Sequence, residues 1–217
     1  YTPSFSGSIQ VTRLMPDGTP DPSFADNGQY TFSLNMETGA YKCLIKNDGK
    51  ILIGGYTTDY ATYWSLLMQL NADGTPDLSF GDNGVVLHTI GVYENIIYAL
   101  AIQDDGAILT AGYSQNSELK FTEAGILDTS FGTEGAATIP VTEIDNDFSA
   151  ISLQSDGKIV AAGHISNGMS WFSLLAARFD QNGVLDPTYG SGGIVNMNLG
   201  NVDDEFYDMI MLDNDET

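Results

Sequence analysis

The thirteen residues PDGTPDPSFADNG, Pro16 to Gly28, return three times along the chain: as ADGTPDLSFGDNG (Ala72 to Gly84), EAGILDTSFGTEG (Glu123 to Gly135) and QNGVLDPTYGSGG (Gln181 to Gly193). Anchored on Gly18, Gly74, Gly125 and Gly183, the copies lie 56, 51 and 58 residues apart. A second element recurs half a period later, as LIKNDGKILIGGY (Leu44 to Tyr56), AIQDDGAILTAGY (Ala101 to Tyr113) and SLQSDGKIVAAGH (Ser152 to His164). Its glycines Gly55, Gly112 and Gly163 are 57 and 51 apart. Two independent anchors that keep the same irregular period establish a tandem repeat of about 55 residues.

Each repeat reads as four strands, A to D. Apolar segments flank Asp48-Gly49, Asp105-Gly106 and Asp156-Gly157, and an Asp-Gly pair between such segments predicts a two-residue hairpin of type I′ with positive φ at both positions. That hairpin joins A to B. Strand C follows, as in WSLLMQL and FSLLAARF, and ends on a polar then an apolar residue: Arg13-Leu14, Gln69-Leu70, Lys120-Phe121 and Arg178-Phe179. After the long turn comes D, as in GVVLHTI and GIVNMNL. Strands B and C are apolar on both faces, which places them in sheets covered on both sides. The small residues Gly54, Gly55, Ala111, Gly112, Ala162 and Gly163 are expected to admit close packing between sheets.

The fold class that follows is all-β. Four-stranded antiparallel meanders stacked around an axis make a β-propeller, here a partial arc of about four blades. The expected division is strands C and D of one blade at residues 8–34, full blades at about 41–90, 97–141 and 148–199, and the opening strand of another at 206–217. Both ends are expected to be cut from a longer chain. The combination DGxxDxSFGxxG, an acidic stretch and AxAxQxDGKIxxAG resembles the delta-60 repeat family of bacterial secreted and surface proteins, which are assigned β-propellers. The third copy departs from the pattern at Ala124, and the fourth at Asn182 and Thr188-Tyr189. The resemblance implies export, an extracellular or cell-surface location and, in some members, type IX secretion. It supplies no catalytic residues to carry over.

Composition narrows the partners. Seven Lys and Arg face 29 Asp and Glu, a net charge of -22, so phosphate backbones and anionic membranes are repelled. No nucleic acid is expected, nor direct membrane insertion, since the longest apolar runs fall far short of the roughly 20 residues a span needs. Cys43, the single cysteine, sits in the apolar stretch YKCLI and is expected to be a buried small hydrophobe.

Two groups of residues are candidates for a site. The long turns are as rich in oxygen ligands as a calcium loop, but Asp and Gly also serve turn geometry there, with Phe24, Phe80, Phe131 and Tyr189 as anchors. No cofactor is expected, with calcium left open. The other group follows from strand parity, which gathers the B–C loops and D-to-A crossings at the end opposite the Asp-Gly hairpins. The crossings carry Glu37, Glu94, Asp145, Asp147, Asp203, Asp204 and Glu205. The loops carry Tyr60, Tyr63 and Asn116, with Trp64 and Trp171 opening strand C. Aromatic rings beside carboxylates suit sugar stacking or a divalent cation; a solvated acidic rim with tryptophans packed between blades is the structural alternative. His88 and His164 occupy unrelated places in the repeat and do not make a zinc site.

The leading expectation is therefore a non-enzymatic binding, adhesion or scaffolding module that meets protein, glycan or secretion and surface-assembly machinery at this loop face. The alternative is a glycan-active propeller enzyme with paired carboxylates. The blades repeat one another with little individual elaboration, and this favours display.

Overall fold

A computed structural model describes residues 7–90, 94–113, 117–140, 146–166, 172–200 and 203–212. The strands are β1 (Ile9–Thr12), β2 (Gln29–Phe32), β3 (Glu37–Ile45), β4 (Ile51–Thr58), β5 (Tyr63–Leu70), β6 (Val85–His88) and β7 (Ile96–Ile102). They continue as β8 (Ile108–Tyr113), β9 (Ser117–Phe121), β10 (Ala136–Thr138), β11 (Asn146–Leu153), β12 (Ile159–Ser166), β13 (Phe172–Phe179) and β14 (Ile194–Met197). No helix occurs among the described residues. The strands form one two-stranded sheet, β1-β2, and three four-stranded sheets, β3 to β6, β7 to β10 and β11 to β14, each in chain order. Every register given for a strand pair is antiparallel.

The chain divides into two compact units, residues 1–96 and 97–217. In the first, Ile9, Phe24, Ile51, Ile53, Leu66, Met68 and Leu70 form the core, with Val11, Tyr30 and Phe32 of the two-stranded sheet packed on it. In the second, Ala99, Leu109, Ala111, Phe131 and Ala137 face Phe148, Ile159, Ala161, Leu175, Ala177 and Phe179 across two sheets. Each phenylalanine fully withdrawn from water in this way contributes on the order of 2 kcal/mol.

The Asp-Gly hairpins form, but with a different turn from type I′. Gly49, Gly106 and Gly157 have φ of 84°, 85° and 82°, whereas the aspartates before them do not have positive φ. The Gly49 amide donates to the Lys46 carbonyl at 2.9 Å and the Lys46 amide to the Lys50 carbonyl at 2.8 Å. This is a type I turn closed by a left-handed glycine, so a single residue carries the positive φ. Asp48 Oδ1 accepts the Lys50 amide at 3.0 Å, a bond that holds the aspartate on the right-handed side. The same closure recurs at the long turns, where the Gly18, Gly74, Gly125 and Gly183 amides donate to Met15, Asn71, Thr122 and Asp180 at 2.9 to 3.0 Å.

Three further expectations need correction. Strands β3 and β11 carry a bulge at the same place, between Ala40 and Lys42 and between Phe148 and Ala150. The bulged backbone presses on Gly55 and Gly163, where an added Cβ would lie 2.0 Å from the Gly39 carbonyl oxygen and 2.1 Å from that of Asp147. The crowding that selects glycine at these two positions thus comes from the neighbouring strand of the same sheet, not from the next blade. Cys43 is exposed, and Ile45 on the same strand is 76% exposed: their equivalents on β11, Ile151 and Leu153, are half-buried against the preceding four-stranded sheet, whereas β3 faces a sheet of two strands. Finally, residues 206–212, the described part of the stretch 206–217 expected to open a further blade, contain no strand, since among the described residues no strand lies beside them to complete a ladder.

Candidate functional site

The repeated acids of the long turns are fully engaged by their own chain. In each copy the aspartate three residues after the repeat glycine accepts a backbone amide and a hydroxyl on one oxygen: Asp21 from Ser23, Asp77 from Ser79, Asp128 from Ser130 and Asp186 from Thr188. The other oxygen meets a cation: Arg13 at 2.9 Å from Asp21, Lys50 at 2.8 Å from Asp77, Lys120 at 3.6 Å from Asp128, Arg178 at 3.0 Å and Lys158 at 3.9 Å from Asp186. Where strand C ends on uncharged Gln69, the lysine after the Asp-Gly hairpin supplies the charge; where that lysine is replaced by Ala107, Lys120 on strand C supplies it. Five of the chain's seven cationic residues are committed to this one repeated position.

Aromatic rings complete the unit. The Arg13 guanidinium lies 4.7 Å from the Phe24 ring centre, Arg178 4.7 Å from Tyr189, and the Lys120 ammonium 5.9 Å from Phe131. The Phe24 and Phe131 rings in turn lie under Gly74 and Gly183 of the next copy, and Ala25 and Gly132 donate to Asp73 and Asn182 there at 2.6 and 2.7 Å. Lys50 and the Ser79 hydroxyl hold the Asp77 carboxyl well below the usual carboxylate range. The Asp21, Asp128 and Asp186 carboxyls are lowered chiefly by the Ser23, Ser130 and Thr188 hydroxyls. Among the described residues no three His, Cys, Asp or Glu side chains converge as a metal site.

At the opposite end of sheet β3–β6 the chemistry is different. Tyr56, near the end of β4, pairs with Gly39 of β3, and an added Cβ on Gly39 would lie 2.6 Å from the Tyr56 ring. The glycine lets the ring lie flat on β3. Tyr41 and Tyr63 flank it, with ring centres 6.0 and 5.9 Å from that of Tyr56 and planes within 28° and 25°, the geometry of offset stacking. The β4–β5 loop is closed by Asp59 Oδ1, which accepts the Ala61 and Thr62 amides at 3.0 and 2.8 Å. It forces Tyr60 to a φ of 70°, a conformation that costs a non-glycine residue about 1 kcal/mol.

Held this way, Tyr60 donates its hydroxyl to Glu37 Oε2, while Tyr56 donates to Glu37 Oε1 at 2.8 Å. The two phenols lower the Glu37 carboxyl, Tyr60 more than Tyr56. The carboxylate in turn pushes Tyr56 up to about 12 and raises Tyr60. Burial raises Tyr63, with Glu94 and Glu37 adding to it. Tyr41 and Tyr60 remain 55% and 52% exposed. Unlike Asp21, Asp77, Asp128 and Asp186, Glu37 pairs with no Lys or Arg among the described residues.

The expected site residues separate into distinct surroundings. Tyr60, Tyr63 and Glu94 belong to this first-unit cluster; Trp64, next along β5 from Tyr63, is half-buried opposite Thr57. In the second unit Asp147 is not in a crossing but in β11, buried, with Oδ1 3.1 Å from His164 Nδ1. Asp203 Oδ1 accepts the Phe172 amide at 3.0 Å, and Asp204 Oδ2 accepts the Leu199 amide at 2.8 Å. Asn95 makes the matching clamp in the first unit, where its Oδ1 accepts the Ile90 amide at 2.8 Å and its Nδ2 donates to the Tyr63 carbonyl at 3.3 Å. The crossing position is therefore a backbone clamp. Glu205 raises the pKa of Tyr207 through a hydrogen bond. Asn116, Asp145 and Trp171 lie outside the described residues. Sequence reasoning placed Glu37 among the crossing acids but missed Tyr41 and Tyr56; the visible signal was the recurrence of Tyr56, Tyr113 and His164 after the second-element glycine.

Residues 4–24, 46–80 and 154–189 match the model of a family described as "Domain of unknown function (DUF5122) beta-propeller". These stretches, less than half of the chain, contain two of the Asp-Gly hairpins and the first nine residues of the first, second and fourth copies of the long turn. The sheets are β-propeller blades. No curated protein matches the chain. The propeller assignment accounts for the repeated frame, and the Tyr–Glu cluster is what distinguishes one blade from that frame.

Proposed function

We propose that this chain is a non-enzymatic binding or scaffolding module of an exported bacterial propeller protein, placed outside the cell or on its surface, which meets protein or glycan at the Tyr–Glu end of β3–β6. The observation that carries the reading is the pair of half-exposed tyrosines, Tyr41 and Tyr60, around an ionised carboxylate, Glu37, that pairs with no Lys or Arg among the described residues. Rings of this kind supply contact area at low entropic cost. Secretion, by the type IX route or another, and docking to surface-assembly machinery follow from the resemblance to delta-60 proteins. The enzyme alternative needs a carboxyl raised to serve as general acid. Among the described residues every carboxyl with a displaced pKa is instead displaced downward: Asp17, Asp21, Glu37, Asp73, Asp77, Asp128, Asp156 and Asp186.

The test is to offer the intact chain to glycan and peptide arrays and, in parallel, to chromogenic glycosides. Binding weakened by Tyr60→Ala, with no glycoside turnover, is expected. Turnover abolished by Glu37→Gln would replace this reading with the glycosidase one.

A further inference from the structure

We infer that the group received at the Tyr–Glu end of β3–β6 is an organic cation, a guanidinium or alkylammonium; this rests on the binding-module reading above. The protein itself shows the recognition unit three times. Asp21–Arg13–Phe24, Asp128–Lys120–Phe131 and Asp186–Arg178–Tyr189 each join a carboxylate, a cation and an aromatic ring. At Glu37 the carboxylate and the rings are present, and the cation is not supplied by the described residues.

Three physical points favour a cation over a neutral ligand. The Glu37 oxygens already accept the Tyr56 and Tyr60 hydroxyls, so a sugar hydroxyl must compete with two neutral donors, whereas a cation gains from the uncompensated charge without displacing either. The stacked rings of Tyr41, Tyr56 and Tyr63 present π faces, which attract cations within about 6 Å of a ring centre. Glu94 adds a second negative charge near Tyr63, and the net charge of -22 concentrates cations at the surface. The two sources of such a group are an Arg or Lys side chain of a protein partner and a small quaternary amine.

The experiment titrates the intact chain with N-acetylarginine amide, with tetramethylammonium chloride and with methyl glucoside at matched ionic strength, following the tyrosine ring NMR signals. Saturable shifts at Tyr41, Tyr56 and Tyr63 with the cations are expected, and Glu37→Gln weakens them about tenfold while Asp17→Asn, with the same charge change at a distant turn, alters affinity less than about twofold. Thermal unfolding of both variants verifies the fold, and Tyr41→Ala supplies a second variant that leaves the charge in place. Stronger binding of the arginine amide assigns the site to a basic protein partner; stronger binding of tetramethylammonium assigns it to a quaternary amine. Absence of saturable shifts up to about 50 mM, or equal loss in both charge variants, overturns the inference. Methyl glucoside shifts that survive Glu37→Gln overturn it too, yet leave the binding-module reading intact.

Discussion

Blades β3–β6 and β11–β14 share a frame and differ at one end. Both bulge on the first strand against a glycine of the second, Gly55 or Gly163. Both pin the long turn through one aspartate, Asp77 or Asp186. At the end away from the Asp-Gly hairpins they diverge: the places of Tyr56 and Tyr63 are taken by His164 and Phe172, whose rings lie 4.3 Å apart, and the histidine meets Asp147 from its own sheet. The second blade closes its histidine on its own carboxylate. The first presents Tyr41 and Tyr60 to solvent around Glu37. Repetition therefore marks what builds a blade, and departure from repetition marks where one blade differs in what it offers.

The strongest way to break this comparison is to attack the shared frame. Gly163→Ala and Gly55→Ala each push a Cβ into the bulged backbone and are expected to cost about 3 kcal/mol in urea unfolding. A loss below about 1 kcal/mol in either would mean the bulge is not fixed by the glycine. Next comes the turn pin. Asp77→Ala removes the acceptor of Lys50, Gln69 and Ser79 and is expected to cost about 2 kcal/mol.

The same residue sets a pH dependence. Its folded carboxyl lies below the ordinary value of 3.8, so the unfolded chain binds the proton more readily and stability rises with pH in that range. The contribution is complete above the unfolded pKa of about 4 and is lost as pH falls through the lowered folded value. Asp77→Asn should flatten the acid limb of a stability–pH profile; an unchanged limb would place the acid sensitivity elsewhere.

Smaller effects probe the difference between the blades. Glu37→Gln removes the charge that raises Tyr56, so its phenol should fall from about 12 toward 10, read as phenolate absorbance during an alkaline titration. No movement would separate Tyr56 from Glu37. The smallest expected effect uses the exposed thiol: native Cys43 should be alkylated at least about ten times faster than a cysteine at its blade equivalent, Ile151→Cys in a Cys43→Ala background. Equal rates would mean that the two faces are covered alike.

Much of the fold was legible because its causes are local and repeated. Asp-Gly pairs, apolar runs at fixed spacing and the DGxxDxSF turns each constrain backbone within a few residues, and copying them along the chain exposed the period. The turn class was not legible: Asp-Gly fits both a type I′ turn and a type I turn with a left-handed glycine, and the Asp48 bond to the Lys50 amide selects between them. The burial of Cys43 was misjudged because its segment is apolar, while its exposure depends on how many strands the facing sheet contributes.

The sequence by itself determined the repeat, the all-β propeller blades and an acidic, cation-poor chain, since periodicity, turn chemistry and charge are additive along a polypeptide. Tertiary structure alone decided which carboxylates meet a cation and which, like Glu37, meet aromatic rings instead. Asp77 lies in an acidic turn and Glu37 at the start of β3; the Asp-Gly hairpin brings Lys50 to the first, and strand register brings the Tyr56 phenol to the second, where Tyr60 joins it. That choice depends on distances of a few ångströms between strands, and composition carries no record of them.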